Sequence, residues 1–333
     1  MRKLMIVLLF ALSASAAEPK NVKLLTGLSE LEMQRTMNMM RSSLGVHCDY
    51  CHVIKGRWDF PSDENPRKDR AREMIRMVAD INRATFAGHE VVSCFTCHRG
   101  SVKPVNLVTL PQTAPKYPTP RPEQPQLADA KEIVKKYAAV LGDAALLKTP
   151  RVAKGERTAF DQKVTPFDVA EKGAKVHIIA VDREQAFNGE NGWWRDQKEC
   201  GVMEPREVDL VRALVAAYAV VLPSDVGDNA RTIAKEKIGD RDVWVVERGT
   251  RRFYFDVESG LVVRAVTLTP STVGTIPQQT DFEDYRDAGG VKFPFRIRVS
   301  LVDPWLSATR QYTSVKLGAE VDDAMFEMPK PGS

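Results

Sequence analysis

Histidine is scarce in this chain: His47, His52, His89, His98 and His177 are the five among 333 residues. Only His177 lies in the C-terminal half, which leaves that half without the Ser/His/Asp set of a hydrolase. Paired carboxylates suited to acid–base hydrolysis do not stand out either. Long apolar runs are missing: the stretch over residues 4–12 is too short to span a bilayer comfortably, and no later segment reads as transmembrane. Neither sign of charge is in large excess. Lys and Arg number 48 against 44 Asp and Glu, a formal charge of +4 that favours acidic partners only mildly. No basic run is interleaved with aromatics, so nucleic acid is set aside as a partner.

What is present suits a soluble globular protein with real cores: 43% hydrophobic and 28% charged residues. The length predicts two domains. At the N-terminus, Arg2 and Lys3 precede the apolar stretch, and Ala14, Ser15 and Ala16 offer a small-residue cleavage site. That order predicts a secretory signal over residues 1–16, a mature chain from about Ala17 and a periplasmic location. No cysteine follows the cleavage site, so a lipid anchor is not expected there.

Four of the five cysteines form the motifs Cys48-Asp49-Tyr50-Cys51-His52 and Cys94-Phe95-Thr96-Cys97-His98. In C-x-x-C-H the two thiols add to the haem vinyl groups as thioethers, and the adjacent histidine is held under the iron as proximal ligand. Two c-type haems are therefore expected, one on Cys48, Cys51 and His52, the other on Cys94, Cys97 and His98. The competing readings fit less well. A Cys₄ zinc site does not call for a histidine after both pairs, and a thioredoxin-like pair needs a βαβ setting that is absent. Cys200 is left over as a free thiol.

Ser29 and Glu32 have capping-box spacing and predict the start of a helix whose apolar stripe is Met33, Met37, Met40 and Leu44, with Gly45 ending it. Asn65 and Pro66 predict a second helix with Ala71, Met74, Ile75, Val78 and Ile81 on its apolar face. Each motif thus follows a methionine-bearing helix. A methionine opposite the histidine would close the iron and raise its potential. Met33, Met37, Met39 and Met40 are candidates at the first haem, Met74 and Met77 at the second, with His47 and His89 as rivals. Core packing is the other use of such a stripe. Arg72, Arg76 and Arg99 are candidate partners for haem propionates, and Tyr50 and Phe95 are expected against the porphyrin edges.

Further stretches surround the two motifs. They are Asn21 to Leu25, Gln34-Arg35-Thr36-Met37, Ser43 to Val46, Ala71-Arg72-Glu73-Met74-Ile75-Arg76-Met77, Asp80-Ile81-Asn82, and Arg99-Gly100 after the second motif. Together with the motifs they resemble the cytochrome subunit of photosynthetic reaction centres. The resemblance covers about residues 21–103. It implies a thioether ligand on the helix before each motif, and carries that role to Met37 for the first haem and Met74 for the second. The family has four haems in two such pairs, whereas this chain has two motifs followed by something else. The implied role is therefore general periplasmic electron transfer with a periplasmic or membrane-bound redox protein.

Seven prolines between Pro104 and Pro125 predict an extended linker over residues 104–128. Beyond it, a helix to about Leu141, strands including residues 175–181, and a helix over residues 205–221 precede a meander. Its strands are expected over 231–238, 242–247, 251–257, 261–268, 280–285, 291–300 and 308–317. Trp193, Trp194, Trp244 and Trp305 are expected in the core. The stretches from Phe253 to Arg264, Asp281 to Arg286 and Gly289 to Pro294, with Asn188 to Trp193, resemble periplasmic lipoprotein-carrier (LolA-like) folds. That resemblance implies a groove that could take an apolar ligand such as a lipid or quinone; a packed core or a protein-docking module is the favoured use.

The predicted fold class is mixed. A mainly α-helical dihaem cytochrome c domain (residues 17–103) is followed by the linker and an α+β domain with a curled antiparallel sheet (residues 129–333). An electron carrier is favoured over a catalyst. The alternatives are a peroxidase-like dihaem oxidoreductase, and a lipid or quinone carrier with the haems as sensors.

Overall fold

The computed structural model describes residues 20–114, 126–181 and 183–329. The expected signal and residues 115–125 of the expected linker lie outside them. Among the described residues, no helix is long and apolar enough to cross a membrane.

The N-terminal region contains α1 (Glu30–Leu44), the hairpin β1 (Val53–Lys55) and β2 (Arg57–Asp59), α2 (Arg67–Thr85) and α3 (Cys94–His98). The capping box forms: the Ser29 and Glu32 side chains each take up the other's backbone N–H. Gly45 then stops α1 in the left-handed conformation, at φ 67°. α2 starts one residue later than predicted, and Asn65 Oδ1 accepts from the Arg67 N–H.

A mainly helical first domain is not supported. The first motif lies in one 3-10 turn, Cys48–Tyr50, the second in the five-residue α3, and a hairpin and loops fill much of the rest. Left-handed glycines flank both motifs, at Gly45, Gly56, Gly88 and Gly100, so the motifs themselves stay in short turns between α1 and α2 and after α2. The chain as described is dominated by one antiparallel sheet.

After α4 (Ala130–Leu141) come β3 (Arg151–Ala159), β4 (Val164–Lys172), β5 (Lys175–Ala180), β6 (Glu184–Phe187), β7 (Gly192–Arg195) and β8 (Cys200–Val202). Then follow α5 (Pro205–Ala217), α6 (Pro223–Val226), β9 (Arg231–Ile238), β10 (Arg241–Arg248), β11 (Arg251–Asp256), β12 (Val262–Thr269), β13 (Ile276–Asp287), β14 (Lys292–Leu301) and β15 (Ala308–Leu317). These thirteen strands, β3 to β15, form one open sheet in the order β8-β7-β6-β5-β4-β3-β15-β14-β13-β12-β11-β10-β9. Every neighbour is consecutive in the chain except β3 and β15, so the last strand lies beside the first and joins two meanders.

The core follows from alternation along these strands. Phe167, Val169, Phe253, Phe255, Phe282, Phe293 and Ile297 point to one side, where Ile133, Tyr137 and Leu141 of α4 and Val211 of α5 meet them. Burying each such side chain contributes about 1.5–3 kcal/mol. Tyr137 stacks edge-on against Phe255 and donates to the Val221 carbonyl at 2.5 Å.

Two further expectations are corrected. α5 ends at Ala217 rather than at residue 221, because Tyr218, Val220 and Val221 leave the helix to enter the core. Trp305 is 64% exposed, its ring edge-on to Phe160 in a surface turn, whereas Trp193 is buried.

The N-terminal region rests on this sheet. The loop between β12 and β13 brings Val273, fully buried, against Leu25, Met39 and Ile75. Its Val273 carbonyl accepts from the Cys94 N–H, and Glu90 accepts from the Ser271 N–H.

Candidate functional site

The two motifs are held against the same helix. The backbone N–H of Gly100, two residues after His98, donates to the Ser43 carbonyl near the end of α1 at 2.8 Å. Gly45 stands so close that a Cβ there would strike the Gly100 carbonyl. Two constraints therefore select glycine at 45, the positive φ and the backbone contact. The segment entering the first motif and the segment leaving the second touch directly.

The first motif is built from α2 backwards. Tyr50 takes hydrogen bonds on its carbonyl from Asn65 and Arg67, and the Arg67 guanidinium lies 4.2 Å from the Tyr50 ring centroid. In this structure Tyr50 therefore packs under an arginine. The loop after β2 is pinned by Lys68, whose Nζ donates to the carbonyls of Phe60, Pro61 and Ser62. Asp63 on the same loop accepts from Lys23, Lys68 and Arg72. Hydrogen bonds from Lys23 and then Arg72 hold its carboxyl well below the usual carboxylate range. Arg72, a candidate for propionate, is instead committed to Asp63 and Asp69.

That loop delivers Phe60 to His52. The Phe60 carbonyl lies 3.3 Å from His52 Nδ1, and its ring packs edge-on at 5.1 Å. A carbonyl only accepts, so Nδ1 carries a proton, and in the neutral ring Nε2 is the nitrogen that keeps its lone pair. At the second motif the Ser101 carbonyl lies 3.0 Å from His98 Nδ1, with the same consequence. This is the outer hydrogen bond that orients metal-ligating imidazoles. Burial, reinforced by Lys68, lowers the His52 pKa and favours the neutral ring; burial also pushes the Cys51 and Cys94 thiols up.

The second motif is set by Asn82, which sequence reasoning gave no structural role. Its buried amide bonds both the N–H and the carbonyl of Val92, two residues before α3. Ser93 and Thr96 then cap α3 reciprocally.

Met37 and Met74 are both half-buried on the helices preceding the motifs. Met39 is the more deeply buried methionine of α1 and belongs to the small core with Ile75, and Met77 is 42% exposed. His47 and His89 are exposed.

The chain suits haem in several respects. All four motif thiols are free. Among the described residues no three His, Cys, Asp or Glu side chains converge to hold a bare metal ion. Ile54, Trp58, Phe60 and Phe95 present exposed apolar surface beside the motifs, with Trp58 stacked on Phe60. Arg41, in the last turn of α1, has a buried Nε without a partner, the kind of donor a carboxylate such as a propionate completes. Sequence reasoning passed over Arg41 because nothing local distinguishes it from a solvated helix residue.

These features are those of a site suited to covalently attached haem, as in the cytochromes c. Residues 12–144 match the family described as photosynthetic reaction centre cytochrome C subunit. The chain is similar to cytochrome c-554 of Chloroflexus aurantiacus, with 39% identity over 87 residues, 24% of this chain and 20% of that protein. It is also similar to the photosynthetic reaction center cytochrome c subunit of Thermochromatium tepidum, with 34% identity over 105 residues, 30% of this chain and 25% of that protein. The similarity thus spans a fifth to a quarter of the length of these curated relatives.

Solved structures similar to the C-terminal region include a LolA superfamily protein from Nitrosomonas europaea, at 14% identity and TM-score 0.37 over 60% of this chain and 98% of that one. A DUF1329 family protein from Desulfovibrio piger matches at 10% identity and TM-score 0.37, over 59% of this chain and 95% of that one. At these scores they carry no argument about function.

Two outcomes follow. Gly45→Ala is expected to lose about 2–4 kcal/mol, from left-handed strain and the clash with Gly100, read as a lower melting temperature by calorimetry. Asp63→Asn is expected to melt below wild type at pH 7. Because the folded carboxyl titrates lower than the unfolded one, that advantage is present above the unfolded pKa and fades as pH falls below about 4. Melting curves from pH 7 to pH 2 that stay equally far apart would contradict this account.

Proposed function

We propose that this chain is a periplasmic dihaem c-type cytochrome that passes electrons between redox partners. Cys48 and Cys51 would carry the first haem with His52 and Met37 on its iron, and Cys94 and Cys97 the second with His98 and Met74. Haem supplies the one-electron couple; the chain's own residues set how it is held. The observation that carries the reading is the pairing of the two motifs across Gly45 and Gly100, each followed by a carbonyl on its histidine Nδ1. The first of these joins two attachment segments in one small unit, and the second leaves Nε2 free in both.

In this reading residues 17–103 form the haem-bearing domain, residues 104–128 the linker and residues 129–333 a supporting domain. His/Met ligation closes both irons to outside ligands, which suits a carrier rather than a catalyst. The partner is a periplasmic or membrane-bound redox protein. An apolar ligand in the sheet domain is a separate matter, tested by mass spectrometry of lipid extracted from the purified protein.

Met37→Ala and Met74→Ala are each expected to lower the potential of a different haem by on the order of 100 mV. Each tenfold change in relative stabilisation of a one-electron couple amounts to about 59 mV. Redox titration of the two variants and of wild type checks this. Unchanged titrations in both would reject the ligand pairing, and cyanide binding to oxidised wild type would point instead to an open, peroxidase-like iron. Cys51→Ala and Cys97→Ala should each leave one haem lost or singly linked, visible in the pyridine haemochrome spectrum and intact mass.

A further inference from the structure

Helix α1 carries three faces with different jobs. Thr36, Met39 and Ser43 are buried. The stripe with Met33, Met37 and Met40 lies beside them. A third row, Gln34, Asn38 and Ser42, faces the C-terminal region, where it meets Asp303 and Val302 in the turn after β14. Asp303 is 8% exposed, and among the described residues no basic side chain stands within ion-pair distance of it. Its Oδ2 instead accepts from Asn38 Nδ2 at 2.9 Å and Gln34 Nε2 at 3.3 Å, while Oδ1 accepts from the Trp305 N–H at 3.1 Å. Gln34 is held from its other end as well: its Oε1 accepts from Arg206 of α5 at 2.5 Å, and Arg206 also pairs with Glu30.

We propose that Asp303 is a positioning residue for the sixth ligand of the first haem: its buried carboxylate grips Gln34 and Asn38 on α1 and thereby fixes the rotation of the helix that carries Met37. This rests on the assignment of Met37 above. Gln34 and Asn38 are one helical turn apart, so two bonds to one carboxylate resist turning about the helix axis. Met37 lies between them in sequence, about 100° around the axis from Asn38. Turning α1 therefore swings the Met37 thioether. The buried carboxylate enforces the grip, because without the two amides it is left without its main compensating donors. The sheet domain, 265 residues along the chain from Asn38, thus has a direct hold on the ligand-bearing helix.

The test uses the full holoprotein and reads three things: the potential of each haem, the far-red methionine-to-iron charge-transfer band, and the affinity of added imidazole for the oxidised form. Asp303→Ala and Asn38→Asp, which sets two carboxylates face to face, are each expected to weaken the band of one haem. Each should also raise imidazole affinity about tenfold, the order expected from losing hydrogen bonds to a charged group. The other haem should keep its potential, whereas a general loss of structure would move both. Asp303→Asn, which keeps a carbonyl acceptor, should recover most of the wild-type behaviour. If Asp303→Ala does not accumulate as folded protein, Gln34→Ala and Asn38→Ala remove the same bonds from the helix side. Unchanged band and imidazole affinity in all these variants, with Met37→Ala lowering one potential, would overturn the grip and leave the ligand assignment standing. A Met37→Ala protein with both potentials unchanged would overturn the assignment, and the inference with it.

Discussion

The contact between Gly45 and Gly100 is the constraint around which the N-terminal region is arranged. One glycine ends α1 in a left-handed conformation and stands against the carbonyl of the other, while Ser43 accepts from the Gly100 N–H. A side chain at 45 would force these backbones apart. With none there, the start of one Cys-x-x-Cys-His segment and the end of the other meet over the same helix end. The small core of Leu25, Met39, Ile75 and Val273 then packs around that junction.

Around this junction the imidazoles are oriented by backbone rather than by side-chain partners. The carbonyls of Phe60 and Ser101 face the Nδ1 atoms of His52 and His98. Backbone acceptors do not titrate, so the histidine orientation is insulated from pH in a way that a carboxylate partner would not allow. The cost moves outward, to the loop that presents Phe60. Lys68 spans three carbonyls there, and Asp63 gathers three cations. An exposed cluster of this kind contributes little as separate ion pairs. Its value is geometric, since all its members hold one loop against one helix.

The sheet domain is more than a neighbour. Its β12–β13 loop accepts the Cys94 N–H, Arg206 grips Glu30 and Gln34, and Asp303 takes the α1 amides. The sheet's own stability comes from apolar alternation along its strands and from α4 and α5 lying on the same core. A large, independently buried core thus backs a small region whose apolar cluster contains few residues, in line with the difficulty small regions have in burying enough surface.

Much of this was legible in the sequence wherever the signal is local. The capping box at Ser29 and Glu32, the stop at Gly45, the meander strands and both Cys-x-x-Cys-His motifs depend on residues within a few positions of one another. Hydrogen bonding and backbone sterics act at that range. Local signals misjudged the helical share of the first region, the end of α5 and the exposure of Trp305. Those depend on what lies opposite, which spacing along the chain does not encode. The junction of Gly45 with Gly100, the Val92 clasp of Asn82, the pairing of β3 with β15 and the hold of Asp303 on α1 were decided by the tertiary structure alone. They bring together groups tens to hundreds of residues apart, and only packing determines which of many compatible partners a buried polar group meets. The sequence by itself determined the two Cys-x-x-Cys-His segments, and so at which cysteines a haem is to be sought; the folded chain decided how those two segments stand together and what steadies them.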